Sequence, residues 1–292
     1  MGLRIRTNVQ SLVAQRHLTN NTDELSGSLE KLSSGYRINR SKDDAAGLAV
    51  SENMRGKVAG LNQARKNAND AVSMMQVAEG AMNEMSNMLI RMRELTVQSA
   101  TDTLSDRDRG YLNKEYTQLV NELDRIAATA EFNDNKFFSV GDKTEYVIQV
   151  GPNHTTDETN ENTISIDLQG LKFTSADLGL GKESEIGPAS ADDTGPTRDE
   201  IAAKLGTIDS ALSRVARERS TVGSIQSRLG STINNLSISM ENLNTAKSRI
   251  KDVDVAEETA TMAKARILVQ SNLSVLSQAN QMPDMALSLL RS

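Results

Sequence analysis

From Leu61 onward, apolar residues recur at alternating steps of three and four: Leu61, Ala64, Ala68, Ala71, Met75, Ala78, Met82, Met85, Leu89 and Met92. Every position of that count is apolar, which is the seam of a coiled coil. Its Ala and Met lining lets a partner helix come close while specifying little by itself. With flanks from 44 to 100, the helix would be on the order of 80 Å long. The count resumes through Ile201, Leu205, Ile208, Leu212, Val215, Arg219, Val222, Gln226, Leu229, Ile233, Leu236, Met240, Leu243, Lys247 and Ile250, apolar at 12 of 15 positions. Pro196 followed by Thr197-Arg198-Asp199-Glu200 is an S/T-x-x-E capping box, so this helix is expected over 197–250. The simplest way to bury both seams is against each other. The chain then runs out along one helix, turns through the middle and returns along the other, an antiparallel coiled-coil rod with both termini at one end.

A third helical pattern, Leu112, Tyr116, Leu119, Leu123, Ile126 and Ala130, predicts a helix over 105–130 beside that pair. The period then changes to two. Tyr146, Ile148 and Val150 alternate with Val147 and Gln149, and Ile164, Ile166 and Leu168 alternate likewise across a polar connection, so strands are expected near 144–151 and 162–169 in a β-hairpin region spanning 140–180. Residues 181–196, GKESEIGPASADDTGP, are loop by composition. At the ends the stripe thins. Residues 3–32 offer Leu18, Leu25, Leu29 and Leu32 with gaps at Gln15 and Thr22, and residues 253–290 offer Val269, Leu273, Leu276, Leu287 and Leu290, interrupted by Asn280 and Pro283. Helices of this kind order only when neighbours cover them. If the neighbours are copies meeting head to tail and the rotation does not close, the product is an open helical filament.

Composition sharpens this reading. Only 3% of residues are aromatic and Trp is absent, which favours helices packed side by side over a bulky globule. Tyr111, Tyr116, Phe132, Phe137, Phe138, Tyr146 and Phe173 are seven of the eight aromatics, so a compact core is expected between 111 and 173. Residues 140–200 carry 13 acidic and 4 basic side chains, whereas residues 1–42 carry 7 basic and 3 acidic. The middle should face water and the amino end something else. The basic residues are sparse and lack interleaved aromatics, so no nucleic-acid partner is expected. There is no cysteine, which excludes a disulfide framework and a thiol nucleophile. No apolar run approaches the roughly 18 residues of a membrane span, and the first 25 residues lack the apolar core of a cleavable signal peptide. Membrane insertion is not expected, and export would need another route.

The stretch SSGYRINRSKDDAAGLA, residues 33–49, interrupts the helical pattern with two glycines and a paired Asp43-Asp44. It lacks the G-x-x-x-x-G-K-[ST] of a phosphate cradle, and Gly179-Leu-Gly181-Lys182 is a fragment of one. Asp43-Asp44 reads as an N-cap with first-turn charge for the long helix that follows. Asp106-Arg-Asp108-Arg-Gly110 echoes a calcium loop without its later ligands. His17 and His154 sit in unrelated contexts. No catalytic, metal or cofactor site is expected, and an enzyme fails for want of any nucleophile, base or metal constellation.

These residues carry a resemblance. LEKLSSGYRINRSKDDAAGLAVSENMRGKVAGLNQARKNANDAVSMMQVAEGAMNEMSNMLIRMRELTVQSA resembles the amino-terminal signature of bacterial flagellins, and ARILVQSNLSVLSQANQMPDMALSLLRS resembles their carboxy-terminal counterpart. Hook–filament junction proteins share the SSG-RIN-S-DDAAG pattern, but MRELTVQSA and ANQMPDMALSLL favour the filament subunit. The resemblance implies an inner domain from 1–43 and 251–292, and a rod domain from 44–250. It leaves little room for the outer domains usually inserted in the middle. It implies that Gly35, Arg37, Ile38, Asn39, Asp43 and Asp44 form a corner between inner domain and rod that meets neighbouring subunits. It further implies a helical homopolymer outside the cell, export unfolded through the flagellar type III apparatus, and partners among a flagellar export chaperone and the cap and hook-associated proteins. Recognition by a vertebrate Toll-like receptor is implied at Arg91, Leu95 and Glu115. From a different functional class, a soluble coiled-coil signalling or adaptor module would need ordered termini in the isolated chain and no polymer.

Overall fold

A computed structural model describes residues 8–138, 145–153, 161–167, 169–181, 185–188 and 196–289, the last seven by backbone alone. The chain is mainly α. Five helices are described: α1 Val9–Ser34, α2 Ala45–Ser99, α3 Asp106–Thr129, α4 Arg198–Lys251 and α5 Val255–Leu289. Two antiparallel strand pairs accompany them, β1 Glu131–Phe132 with β2 Asn135–Lys136, and β3 Glu145–Gln149 with β4 Thr163–Asp167. The chain divides into two compact units, Met1–Val58 with Glu241–Ser292, and Ala59–Met240. The first holds both chain ends and is called the terminal unit below; the second is the central unit.

Each helix begins where a side chain can satisfy its free N–H groups. The Asn8 carboxamide oxygen accepts from Ser11 N at 3.1 Å and opens α1, which stops at Gly35 in the left-handed region, φ 73°. Asp44 opens α2, its carboxylate accepting from Gly47 N at 2.8 Å. Ser105 and Asp108 form a reciprocal capping box on α3, so the calcium-like Asp106-Arg-Asp108 is a helix start. Glu200 reaches back to Thr197 N at 2.7 Å as α4 begins; that bond holds the Glu200 carboxyl below its usual range.

In the central unit the seam of α2 is buried as its spacing predicts, from Leu61 at 7% exposure to Met75, Met82, Met85, Leu89 and Met92 at 0%. On α4 six of the seven buried residues recur every seven positions, Ile201, Ile208, Val215, Val222, Leu229 and Leu236, the signature of a knobs-into-holes seam. The pairing is antiparallel: Arg93 meets Asp209 at 2.7 Å, and further back along α2 Glu79 accepts from Gln226 at 3.0 Å. Against this pair α3 lays Tyr116 and Leu123, and Phe137, Phe138 and Phe173 stack in sequence with centroids 6.0 and 5.5 Å apart. The aromatic core therefore lies within the expected interval, while Tyr111 stays exposed. The hairpin β3–β4 faces Ile148, Ile164 and Ile166 inward and exposes Val147.

Two features of this unit escape the periodicity. Asn133 and Asp134, both at positive φ, form the two-residue turn of β1–β2. Within the expected loop, Ile186 is fully buried. Its N–H donates to the Asn113 side chain at 3.0 Å and its carbonyl accepts from Ser99 Oγ at 2.5 Å. Gly187 follows because a Cβ there would collide with the Arg109 backbone. Lys204 donates to the Glu185 carbonyl beside it, and burial pushes that ammonium below its usual range. The 185–188 segment is irregular but anchored.

In the terminal unit α1 and α5 run antiparallel, with Asn8 donating to the Ala279 carbonyl at 2.7 Å and Lys31 reaching Glu258 at 3.6 Å. The residues buried along this pair are small: Ala14, Ser28, Ala265 and Ala279. The bulky ones divide: Leu18, Leu25, Leu32, Val269 and Leu276 are half-buried, whereas Leu12 at 58%, Ile267 at 65% and Leu273 at 51% exposure face out.

Candidate assembly corner

The corner lies in the terminal unit, where α1 ends, α2 begins and α4 passes into α5. Gly35 turns the chain out of α1, and residues 35–38 run beside the end of α4. Arg37 N donates to the Lys251 carbonyl at 2.7 Å, Val253 N to the Gly35 carbonyl at 3.1 Å, and Tyr36 bridges Asp252. The Arg37 guanidinium donates to the Ile250 carbonyl at 2.7 Å. Two terminal carbonyls of α4 are thus satisfied by one residue, with a cation at the negative end of the helix dipole. Ile38 is buried at 1% exposure. A Cβ on Gly47 would stand 2.8 Å from Ile38 Cδ1 and would collide with the Asp44 carboxylate; the glycine permits α2 to start flush against the loop.

The paired carboxylates divide the work. Asp44 caps α2, whereas Asp43 accepts from Arg40 N at 2.9 Å and Asn39 N at 3.1 Å and closes the loop on itself. The Arg40 bond foremost holds the Asp43 carboxyl below its usual range. The Asn39 carboxamide reaches the Tyr36 carbonyl, and Arg40 pairs with Glu30 at 2.9 Å. Gly35, Arg37, Ile38, Asn39, Asp43 and Asp44 therefore meet in one place. Sequence reasoning missed Glu52 and Lys251, whose side chains pair at 3.1 Å, and the Lys251 ammonium 5.1 Å from the Tyr36 ring centroid. No local spacing joins residues that far apart in the chain; only the register of α2 on α4 could have found them.

Along α1 and α5 the predicted packing leucines separate into two sets. Leu18, Leu25, Leu32 and Leu276 are half-buried, while Leu29 and Leu273 are about half exposed at 51% each. Leu287 and Leu290 lie outside the residues whose side chains are described. In the central unit, Arg91 pairs with Glu115 at 2.8 Å and with Glu94 at 3.0 Å on an exposed face; the Glu115 bond chiefly raises the guanidinium above its usual range. Leu95, four residues on from Arg91, is fully buried in the central core. Among the described residues no cluster of three His, Asp or Glu side chains could hold a metal ion, and no helix is long and apolar enough to cross a membrane.

Residues 5–142 match the bacterial flagellin N-terminal helical region, and residues 205–290 match the bacterial flagellin C-terminal helical region. The chain is 41% identical to a flagellin of Halalkalibacterium halodurans over 98% of this chain and 99% of that one. It is 38% identical to a flagellin of Bacillus subtilis over 99% and 100%, and 39% identical to a flagellar filament 33 kDa core protein of Treponema phagedenis over 98% and 99%. Its alignment with flagellin B of Vibrio anguillarum extends over 375 residues, against 292 in this chain, so that relative carries additional sequence. In fold alone the chain resembles a flagellar hook-associated protein structure from Vibrio parahaemolyticus, at 15% identity and TM-score 0.57, covering 72% of this chain and 100% of that one.

Proposed function

The chain belongs to the bacterial flagellin family and is a structural subunit of the flagellar filament, and on that premise we propose that polymerisation completes the fold of its terminal helices. The observation that carries this reading is the inverted packing of α1 on α5. Small residues meet in the seam while Leu12, Ile267 and Leu273 face water, an arrangement that gains little from burial within one copy. Neighbouring copies supply the missing cover. The corner at Gly35–Asp44 links the polymerising segments 1–43 and 251–292 to a rod formed by 44–250, and it is the part that neighbours touch.

On the same reading the chain travels unfolded through the flagellar type III apparatus, guided by its amino end. An export chaperone covers the carboxy-terminal helix until it leaves, and cap and hook-associated proteins receive it outside. The subunit works mechanically and not as an enzyme: its Ala, Met and Leu seams slide between nearly equivalent packings. Toll-like receptor recognition would use the exposed Arg91–Glu115 pair, with Leu95 setting the helix packing behind it; a receptor-bearing reporter cell that ignores purified monomer would remove that element.

Seeded polymerisation tests the whole reading. Purified monomer is added to short filament fragments while light scattering and far-ultraviolet dichroism are followed together. Growth with a gain in helicity supports it, and no growth from a monomer already fully helical would leave a soluble coiled-coil module.

A further inference from the structure

The corner of the terminal unit holds little apolar material. Ile38 is its one buried aliphatic side chain among the described residues, so polar contacts carry the information about where the α1–α2 loop sits. Most of those contacts use backbone atoms and would survive small shifts of the loop. Lys251 differs. It is the last residue of α4, its side chain is 17% exposed, and it joins three segments at once. Its backbone carbonyl accepts from Arg37 N, its ammonium donates to Glu52 on α2 at 3.1 Å, and the same ammonium stands 5.1 Å from the centroid of Tyr36 in the loop. The Glu52 carboxyl is held below its usual range, chiefly by that hydrogen bond. Tyr36 itself is 42% exposed; its backbone is held by the bridge to Asp252, and the Lys251 cation stands beside its ring at a distance where the two attract.

We propose that Lys251 is a positioning residue for assembly, clasping Tyr36 and Glu52 so that the α1–α2 loop keeps the conformation in which a neighbouring subunit can seat. The inference rests on the filament reading above. An unclasped loop samples several conformations, and apparent affinity falls by the fraction that remains competent. The clasp needs a positive charge that can donate to the carboxylate and stand close to the ring. Arginine meets both requirements and methionine meets neither.

The test is the critical concentration for seeded growth of the full-length chain, with Lys251→Met, Lys251→Arg, Tyr36→Leu, Tyr36→Phe and the double variant of Lys251→Met with Tyr36→Leu. Lys251→Met and Tyr36→Leu are each expected to raise the critical concentration roughly threefold to tenfold. The double variant should be no worse than Lys251→Met alone, because both remove the same contact. Lys251→Arg and Tyr36→Phe should grow like the parent. Monomer dichroism controls for folding, and Tyr36→Leu against Tyr36→Phe tests the ring without altering any charge. If the parent fails to elongate, the filament reading itself falls. If the parent grows and Lys251→Met and Tyr36→Leu match it, or their effects simply add in the double variant, the clasp is overturned.

Discussion

The central and terminal units use the same three-and-four spacing and do opposite things with it. In the central unit the seam positions hold Met75, Met82, Leu89, Ile208, Val215 and Val222, all buried, and the aromatic residues close the core from the side. In the terminal unit the buried seam holds Ala14, Ser28, Ala265 and Ala279; among the described residues its leucines are half-buried or exposed, and Leu12, Leu29, Ile267 and Leu273 face away from it. At roughly 25 cal/mol for each Å² of apolar surface removed from water, the first arrangement stabilises a lone chain and the second mostly does not. Periodicity therefore says where helices meet, while side-chain size at those positions says whether one copy suffices.

The contrast breaks most sharply under substitutions that fall on only one unit. Replacing both Ile267 and Leu273 by Glu should abolish seeded elongation while leaving monomer unfolding within about 0.5 kcal/mol, because both side chains are already more than half exposed. Scattering and urea melts of the same preparation check it together. Phe138→Ala should do the reverse, lowering the unfolding free energy of the central unit by about 3–5 kcal/mol, read from the urea midpoint. Asn113→Ala should cost about 1–3 kcal/mol in the same assay, since it leaves the buried Ile186 N–H unpaired. Asp44→Ala, which removes the cap of α2, should cost about 1 kcal/mol, read from the thermal midpoint.

The smallest expected effect concerns pH. Asp43 has a folded-state pKa below its usual value because Arg40 N foremost, with Asn39 N, donates to its carboxylate. Its contribution is complete above the ordinary carboxylate range and is lost as pH falls through the depressed value. Asp108 and Glu200 in the central unit carry the same sign. Glu52 in the terminal unit does too; a shallow acid loss of stability in both units is therefore expected, and Asp43→Asn should reduce the terminal unit's share without abolishing it and leave the central unit's share unchanged. An acid limb that Asp43→Asn leaves untouched in the terminal unit would contradict this assignment.

Legibility followed the range of the interactions involved. Seam residues from Leu61 to Met92 and the hairpin alternation from Tyr146 to Ile166 were readable because burial imposes a period on neighbouring residues. Asp43 and Asp44 were readable as local hydrogen-bonding groups at a helix start. The two-residue turn at Asn133-Asp134 left a signal, since Asn and Asp tolerate the left-handed region. So did Ile186, the one large apolar residue in GKESEIGPASADDTGP. The Lys251–Glu52 pair left none, because its members come together only through the long helices that carry them. Nor did spacing alone distinguish Leu29 and Leu273, which lie off the seam, from Leu25 and Leu276, which lie nearer it.

Amide hydrogen exchange on the monomer and on the assembled filament, compared between residues 59–240 and the helices α1 and α5, tests most directly whether the terminal unit is completed by its neighbours. The account predicts strong protection of the central unit in both states, with α1 and α5 exchanging freely in the monomer and slowing by orders of magnitude in the filament. Terminal helices already as protected as the central unit in the lone chain would contradict it.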